Sequence, residues 1–246
     1  MQRLVKLGTA VVSIAAIAFT AYAGASEEVD YNNLGNLDNG KNIFQNGKND
    51  VPACTSCHGQ TGLGDDNMGT PRLASQGFAY LVKQLEDFAT DKRTDTTMFI
   101  MNTNAKGLSA QDRKDVAAYI SSQKLPVEAS KIDELKAAGQ QVGVRHLGKA
   151  LAQYGSPERG IPACHSCHGY NGRGAFPVYP RIGGQRFVYI MNQLKKWKDS
   201  SRANDPLGQM QKVAKQMTEE DMRNVATFLT QAPETTVGNS RVPYQY

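Results

Sequence analysis

The nine residues VPACTSCHG at 51–59 recur almost unchanged as IPACHSCHG at 161–169, so Cys54, Cys57 and His58 stand opposite Cys164, Cys167 and His168 at an offset of 110. Past the motif the offset becomes 109 and holds. Pro71-Arg72-Leu73 matches Pro180-Arg181-Ile182, Tyr80 matches Tyr189, Gln84-Leu85 matches Gln193-Leu194, and Arg93 matches Arg202. Near the end of each copy, DVAAYI at 115–120 answers NVATFL at 224–229. The chain reads as a tandem duplication, and its 246 residues suit two small units of about 100 residues each. With 23 glycines, 10 prolines and one tryptophan, each unit should have short elements joined by much loop and need help in filling its core.

Each copy reads as mostly helical. A short helix around Gly40 to Gly47 precedes the first motif, and a longer one from about Gly139 to Tyr154 precedes the second. A glycine-rich loop follows each motif, 59–72 and 169–181, where regular structure is not expected. Amphipathic helices come next: 78–89 with Leu81, Leu85 and Phe88 on one face, and 187–198 with Ile190, Leu194 and Trp197. The last helix of each unit carries a start signal, Ser109 with Asp112 and Thr218 with Asp221. The expected organisation is an N-terminal segment 1–25, a first domain 30–124, a linker 125–138, a second domain 139–235 and a tail 236–246.

The N-terminal segment has Arg3 and Lys6 ahead of an apolar run from Leu7 to Thr20, then small residues around Ala21-Tyr22-Ala23. This is the layout of a secretory signal peptide cleaved before Gly24, or equally after Ala23-Gly24-Ala25, with an uncleaved anchor as the alternative. An exported body is expected, in the periplasm, soluble or membrane-associated. All four cysteines lie in the two motifs, leaving none for the structural disulfides that export would invite.

A Cys-x-x-Cys pair serves as a redox dithiol, half of a zinc site or the anchor of a haem. A zinc site would need the two pairs to converge from separate copies, and a thioredoxin-like dithiol expects a βαβ pattern that is absent. His58 and His168 each follow the second cysteine directly, and C-x-x-C-H is the attachment pattern of haem c. The cysteines form thioethers to the vinyl groups, and the histidine ligates iron from one side. The other histidines, His165 between the cysteines and His146 in a polar helical segment, read as a solvent-facing residue and an uninvolved one.

A ligand used on the opposite face by both units should survive the 109 offset. Among eight methionines, only Met101 and Met210 align with each other, each in the loop before the last helix; Met98 is the runner-up in the first unit and core packing is the bland alternative. Histidine and methionine together close the iron's coordination and favour Fe(II). Pro71 and Pro180 lie where their carbonyls could accept the imidazole N–H and orient the ring.

C-x-x-C-H, the Pro-Arg-Leu or Pro-Arg-Ile segment, the methionine before a Leu-Ser or Met-Thr helix start, and the closing Ala-x-Tyr or Ala-x-Phe together resemble class I cytochrome c, twice. Two such domains behind a leader resemble the two-haem cytochrome c4 type across about residues 36–232. The resemblance implies a helical fold around each of two covalently bound haem c groups, facing haem edges at the domain interface, and electron shuttling from a quinol-cytochrome c reductase or similar donor to a terminal oxidase. No catalytic residue is expected. A subunit of a larger dehydrogenase or oxidase and a two-haem enzyme, a peroxidase or thiosulfate dehydrogenase, are the alternatives; the last is opposed by the lack of a fifth cysteine.

Charge is lopsided. Residues 24–130 carry 10 Lys and Arg against 14 Asp and Glu, while residues 131–246 carry 16 against 9. A net −4 and a net +7 end to end make a dipole that could orient the protein on redox partners of opposite sign. Nucleic acid is a poor reading of the basic half in an exported chain.

Overall fold

The computed structural model describes residues 30–94 and 99–232. The expected leader, Met98 and the C-terminal tail lie outside these residues. The described chain is helical, with only isolated β-bridges and no strand. The first unit contains α1 (Leu37–Asn46), α2 (Thr55–His58), α3 (Phe78–Ala89), α4 (Ile100–Lys106) and α5 (Ala110–Ser122). After α6 (Ile132–Ala137), the second unit repeats the order with α7 (Arg145–Tyr154), α8 (Cys164–His168), α9 (Phe187–Lys198), α10 (Gln209–Gln216) and α11 (Glu219–Thr230). No described helix is long and apolar enough to cross a membrane.

Each unit closes its own core. Ile43, Phe44, Leu81, Val116 and Ile120 cluster in the first, and Leu151, Phe187, Ile190, Leu194, Val225 and Phe228 in the second. In both, the helix before the motif crosses the last helix at a glycine. A Cβ on Gly40 would overlap the Asp115 carbonyl, and one on Gly148 would overlap that of Asn224. Close backbone approach is what glycine permits at these two crossings.

The helix before the second motif is shorter than its pattern suggests, starting at Arg145 rather than about Gly139. Gly139 has φ +86°, a conformation that ends the short helix α6 rather than opening a new one. The chain then passes without regular structure to Val144, which is extended and whose N–H donates to Asn224 Oδ1 at 2.6 Å. The last helices begin as expected, since Ser109 with Asp112 and Thr218 with Asp221 form full capping boxes.

Asp112 is more than a cap. Burial pushes its pKa up, but hydrogen bonds from Lys48, Ser109 and Asn39 outweigh it and hold the carboxyl below the usual range. A depressed folded-state pKa adds stability above the unfolded value of about 4, and that stability is lost as pH falls through the folded value. Asp112→Asn should therefore lower the thermal midpoint at pH 7, with the gap to wild type narrowing below about pH 4. A gap independent of pH would show that the carboxylate's charge is not what stabilises the helix start.

The segment between units is held at both ends. Arg72 donates to the carbonyls of Leu125 and Pro126 at 2.5 and 3.0 Å, anchoring the start to the first unit. Ser130 accepts from Phe187 N at 2.9 Å and donates its own N–H to Thr230 Oγ1 at 3.0 Å, tying the next residues to the second.

The units meet across a polar, buried surface with pseudo-twofold symmetry. Arg93 donates to Gln84 Oε1 at 2.7 Å, and to Tyr189 Oη and Gln193 Oε1 at 3.0 Å each. Its mirror, Arg202, donates to Gln193 Oε1 at 2.7 Å, Gln84 Oε1 at 3.0 Å and Tyr80 Oη at 3.3 Å. Each guanidinium also lies over an aromatic ring of its own unit, Arg93 over Phe88 and Arg202 over Trp197. The Tyr, Gln and Arg positions that recur at the 109 offset are therefore interface residues. Arginine suits the role because its planar fork shares acceptors with a neighbouring guanidinium while staying charged.

Candidate functional site: two matched Cys-Cys-His centres

Each motif folds as a single helical turn. The two cysteines of each motif are three residues apart, Cys54 as the N-cap of α2 and Cys164 as the first residue of α8, so each pair lies on one side of the turn with the histidine next in chain. Cys54 packs at the edge of the first core and Cys164 at the edge of the second. Burial pushes both thiols up to about 11, so at neutral pH they are protonated and poor thiolate nucleophiles. Among the described residues no three His, Cys, Asp or Glu side chains gather as a metal site would require. The second observation argues against the zinc reading.

His58 and His168 are buried, at 6% and 7% exposure. Their Nδ1 atoms lie 3.2 Å from Pro71 O and 2.8 Å from Pro180 O, as the two prolines' positions led us to expect. A carbonyl has no proton to give, so Nδ1 carries the hydrogen in each ring. Any metal held by either imidazole is therefore bound through Nε2, and burial further lowers the His168 pKa toward the neutral, ligating form.

The structure gives the two methionines more regular surroundings than the loop expected from sequence. Met101 is the second residue of α4 and Met210 the second residue of α10. Both helices start after a left-handed residue, Phe99 at φ 57° and Gly208 at φ 64°, which turns the chain sharply ahead of the methionine. Met210 is half-buried against the second core, and equivalence of position in two helices is stronger than equivalence of spacing. His165 differs from expectation. Its ring sits between Tyr170 and Phe228, 5.4 and 6.3 Å away, with Nε2 buried, because Phe228 of α11 reaches the ring from one side and Tyr170 from the other. His146 is exposed on α7.

This donor set fits a covalently held haem: paired thiols, a buried imidazole with its Nδ1 committed to a carbonyl, and an apolar wall in each unit. A cytochrome c family model matches residues 37–124. Cytochrome c4 from Pseudomonas aeruginosa is 34% identical over 185 residues, which cover 74% of this chain and 85% of that protein. The chain belongs to the two-haem cytochromes c of the c4 type. It carries two covalently bound haem c groups and works as an electron-transfer protein. The structure of reduced cytochrome c4 from Pseudomonas stutzeri superposes with a TM-score of 0.64 at 30% identity, covering 81% of this chain and 99% of that one. A thiosulfate dehydrogenase electron acceptor from Thiomonas intermedia is 38% identical over 184 residues, 75% of this chain and 80% of that protein. A thiosulfate dehydrogenase structure from Marichromatium purpuratum gives a TM-score of 0.71 at 29% identity over 85% of this chain, which spans 43% of that one.

Sequence reasoning missed Gln76 and Gln185. Each is buried and bonded to the peptide backbone next to the other unit's proline. They also match at the 109 offset, a signal that was available and that a glutamine in a loop does not advertise.

Proposed function

We propose that Cys54 and Cys57 hold one haem and Cys164 and Cys167 the other, with His58 and Met101 as the axial pair in the first unit and His168 and Met210 in the second. The observation that carries this reading is the doubled arrangement of a buried imidazole, committed through Nδ1 to a proline carbonyl, and a methionine at the start of the following short helix. When bound, a haem with such ligands supplies one-electron exchange at a raised potential. The chain's own residues orient the imidazole, exclude water and keep the two units in a single docked arrangement.

In this reading the protein is a periplasmic carrier that passes single electrons between respiratory complexes, from a quinol-cytochrome c reductase or similar donor to a terminal oxidase. The thiosulfate dehydrogenase acceptors among its relatives support a second choice of donor, a thiosulfate dehydrogenase, with this chain as acceptor rather than as the enzyme. Rapid mixing of the oxidised protein with each pre-reduced donor distinguishes them, since the physiological donor should reduce it at a rate near the limit for electrostatically guided encounter. An oxidised spectrum that is high-spin and responds readily to cyanide or peroxide would overturn the carrier reading in favour of a peroxidase.

The charge asymmetry adds a prediction. If the acidic first unit and basic second unit orient the protein on different partners, raising ionic strength from about 10 mM to 0.5 M should slow exchange with at least one partner about tenfold or more. Rates indifferent to salt with both donor and acceptor would remove the steering argument.

A further inference from the structure

Each peptide group that holds an imidazole is also held from the other unit. The Pro71 carbonyl accepts the His58 Nδ1–H, and the N–H of that same peptide group, on Arg72, donates to Gln185 Oε1 at 2.6 Å. In the mirror arrangement the Pro180 carbonyl accepts from His168, and the Arg181 N–H donates to Gln76 Oε1 at 2.8 Å. Both glutamines return a bond: Gln185 Nε2 donates to Arg72 O and Gln76 Nε2 to Arg181 O, each at 2.9 Å. The remaining lone pair on each Oε1 accepts a local amide, Arg186 N at 2.9 Å and Gly77 N at 3.1 Å. Two N–H groups facing the oxygen and one carbonyl facing the nitrogen set the orientation of both amides. At 7% and 6% exposure, neither has water to substitute for these partners.

A peptide group is conjugated, so a hydrogen bond given by its N–H moves electron density onto its oxygen. That oxygen then holds the imidazole proton more tightly, which makes the ring a stronger donor to a metal on its far side. A stronger donor favours Fe(III) and lowers the potential. We infer that the potentials are tuned crosswise: Gln185 of the second unit sets that of the first haem, and Gln76 of the first unit sets that of the second, each through one peptide group. The inference rests on the reading of His58 and His168 as axial ligands. Both glutamines are positioning residues, acting through the proline carbonyl. Docking of the two units is thereby part of what sets each haem's potential.

Gln185→Met retains the side chain's length and removes both polar atoms. In the two-haem protein it should raise the midpoint potential of the first haem by a two- to threefold change in the reduction equilibrium, about 20–30 mV for one electron, and leave the second in place. Gln76→Met should do the converse. The haems are told apart in NMR spectra by their axial-methionine signals, assigned with Met101→Ala and Met210→Ala. In the reduced protein the Nδ1 proton of His58 should move upfield in Gln185→Met, and that of His168 in Gln76→Met. A shift confined to the haem of the substituted unit, an equal shift at both, or none at either would overturn the inference. Should one variant fail to fold with two haems, its mirror carries the test by the same criteria. Absence of a histidine–methionine signature in the wild type would instead defeat the ligand assignment, so the two failures are distinguishable.

Discussion

Gly148→Ala should lower the thermal midpoint of the second unit by roughly 10–20 °C, corresponding to a loss of about 3 kcal/mol. The new methyl would overlap the Asn224 carbonyl and lie 2.9 Å from Val225 N. Both are backbone groups of α11, so no side chain can rotate away and the two helices must separate. Separation strains bonds that position α7, the Gly143 N–H to Thr227 Oγ1 at 3.0 Å and the Val144 N–H to Asn224 Oδ1 at 2.6 Å. It also opens the core around Leu151 and Val225. Alanine's intrinsic helix preference, worth about 1 kcal/mol over glycine, opposes the effect and is outweighed by a clash at the severe end of overpacking. Gly40→Ala should do the same to the first unit through the Asp115 carbonyl. A midpoint within a few degrees of wild type, measured by calorimetry, would mean that the helices can slide apart without disturbing the core.

Met101→Ala should convert one haem of the two. The weak red-end band of the oxidised spectrum, which reports methionine-to-iron charge transfer, is expected to fall by half. That haem's potential should drop by a few tenths of a volt, roughly, because axial ligands span about 0.8 V across haem proteins and thioether lies at the oxidising end. Cyanide should then bind at one equivalent per protein. Met210→Ala should repeat the pattern at the other centre, and the double variant should lose the band entirely. The expectation is specific because Met101 and Met210 occupy the same second position in matched helices. Retention of the full band in Met101→Ala would turn attention to Met98, three residues upstream.

Much of this was readable along the chain because it is local. The five-residue motif needs only one helical turn to gather its cysteines, and the capping boxes at Ser109 and Thr218 need only three residues of reach. The duplication extended that reach, because it singled out Met101 and Met210 without any knowledge of the fold. Periodicity located 78–89 and 187–198 as helices for the same reason: an apolar stripe is a property of consecutive turns. Where local signals compete, the reading was less exact. Gly139 within a polar stretch looked compatible with a long helix, and its left-handed conformation emerges only once α6 and α7 pack separately. His165 looked solvent-facing until α11 brought Phe228 over its ring.

The sequence by itself determined two copies of a Cys-x-x-Cys-His unit at a near-constant offset, and it singled out the one methionine in each copy that survives that offset, Met101 and Met210. Only the tertiary structure decided what the remaining repeated polar residues do. Arg93 with Arg202 and Gln76 with Gln185 are separated by about a hundred residues, and in a linear reading a polar side chain is most simply solvated. Burial reverses that, since an amide or guanidinium removed from water must find protein partners. Here the arginines find tyrosine and glutamine side chains across the interface, and the glutamines find the peptide groups of the opposite unit that hold the imidazoles.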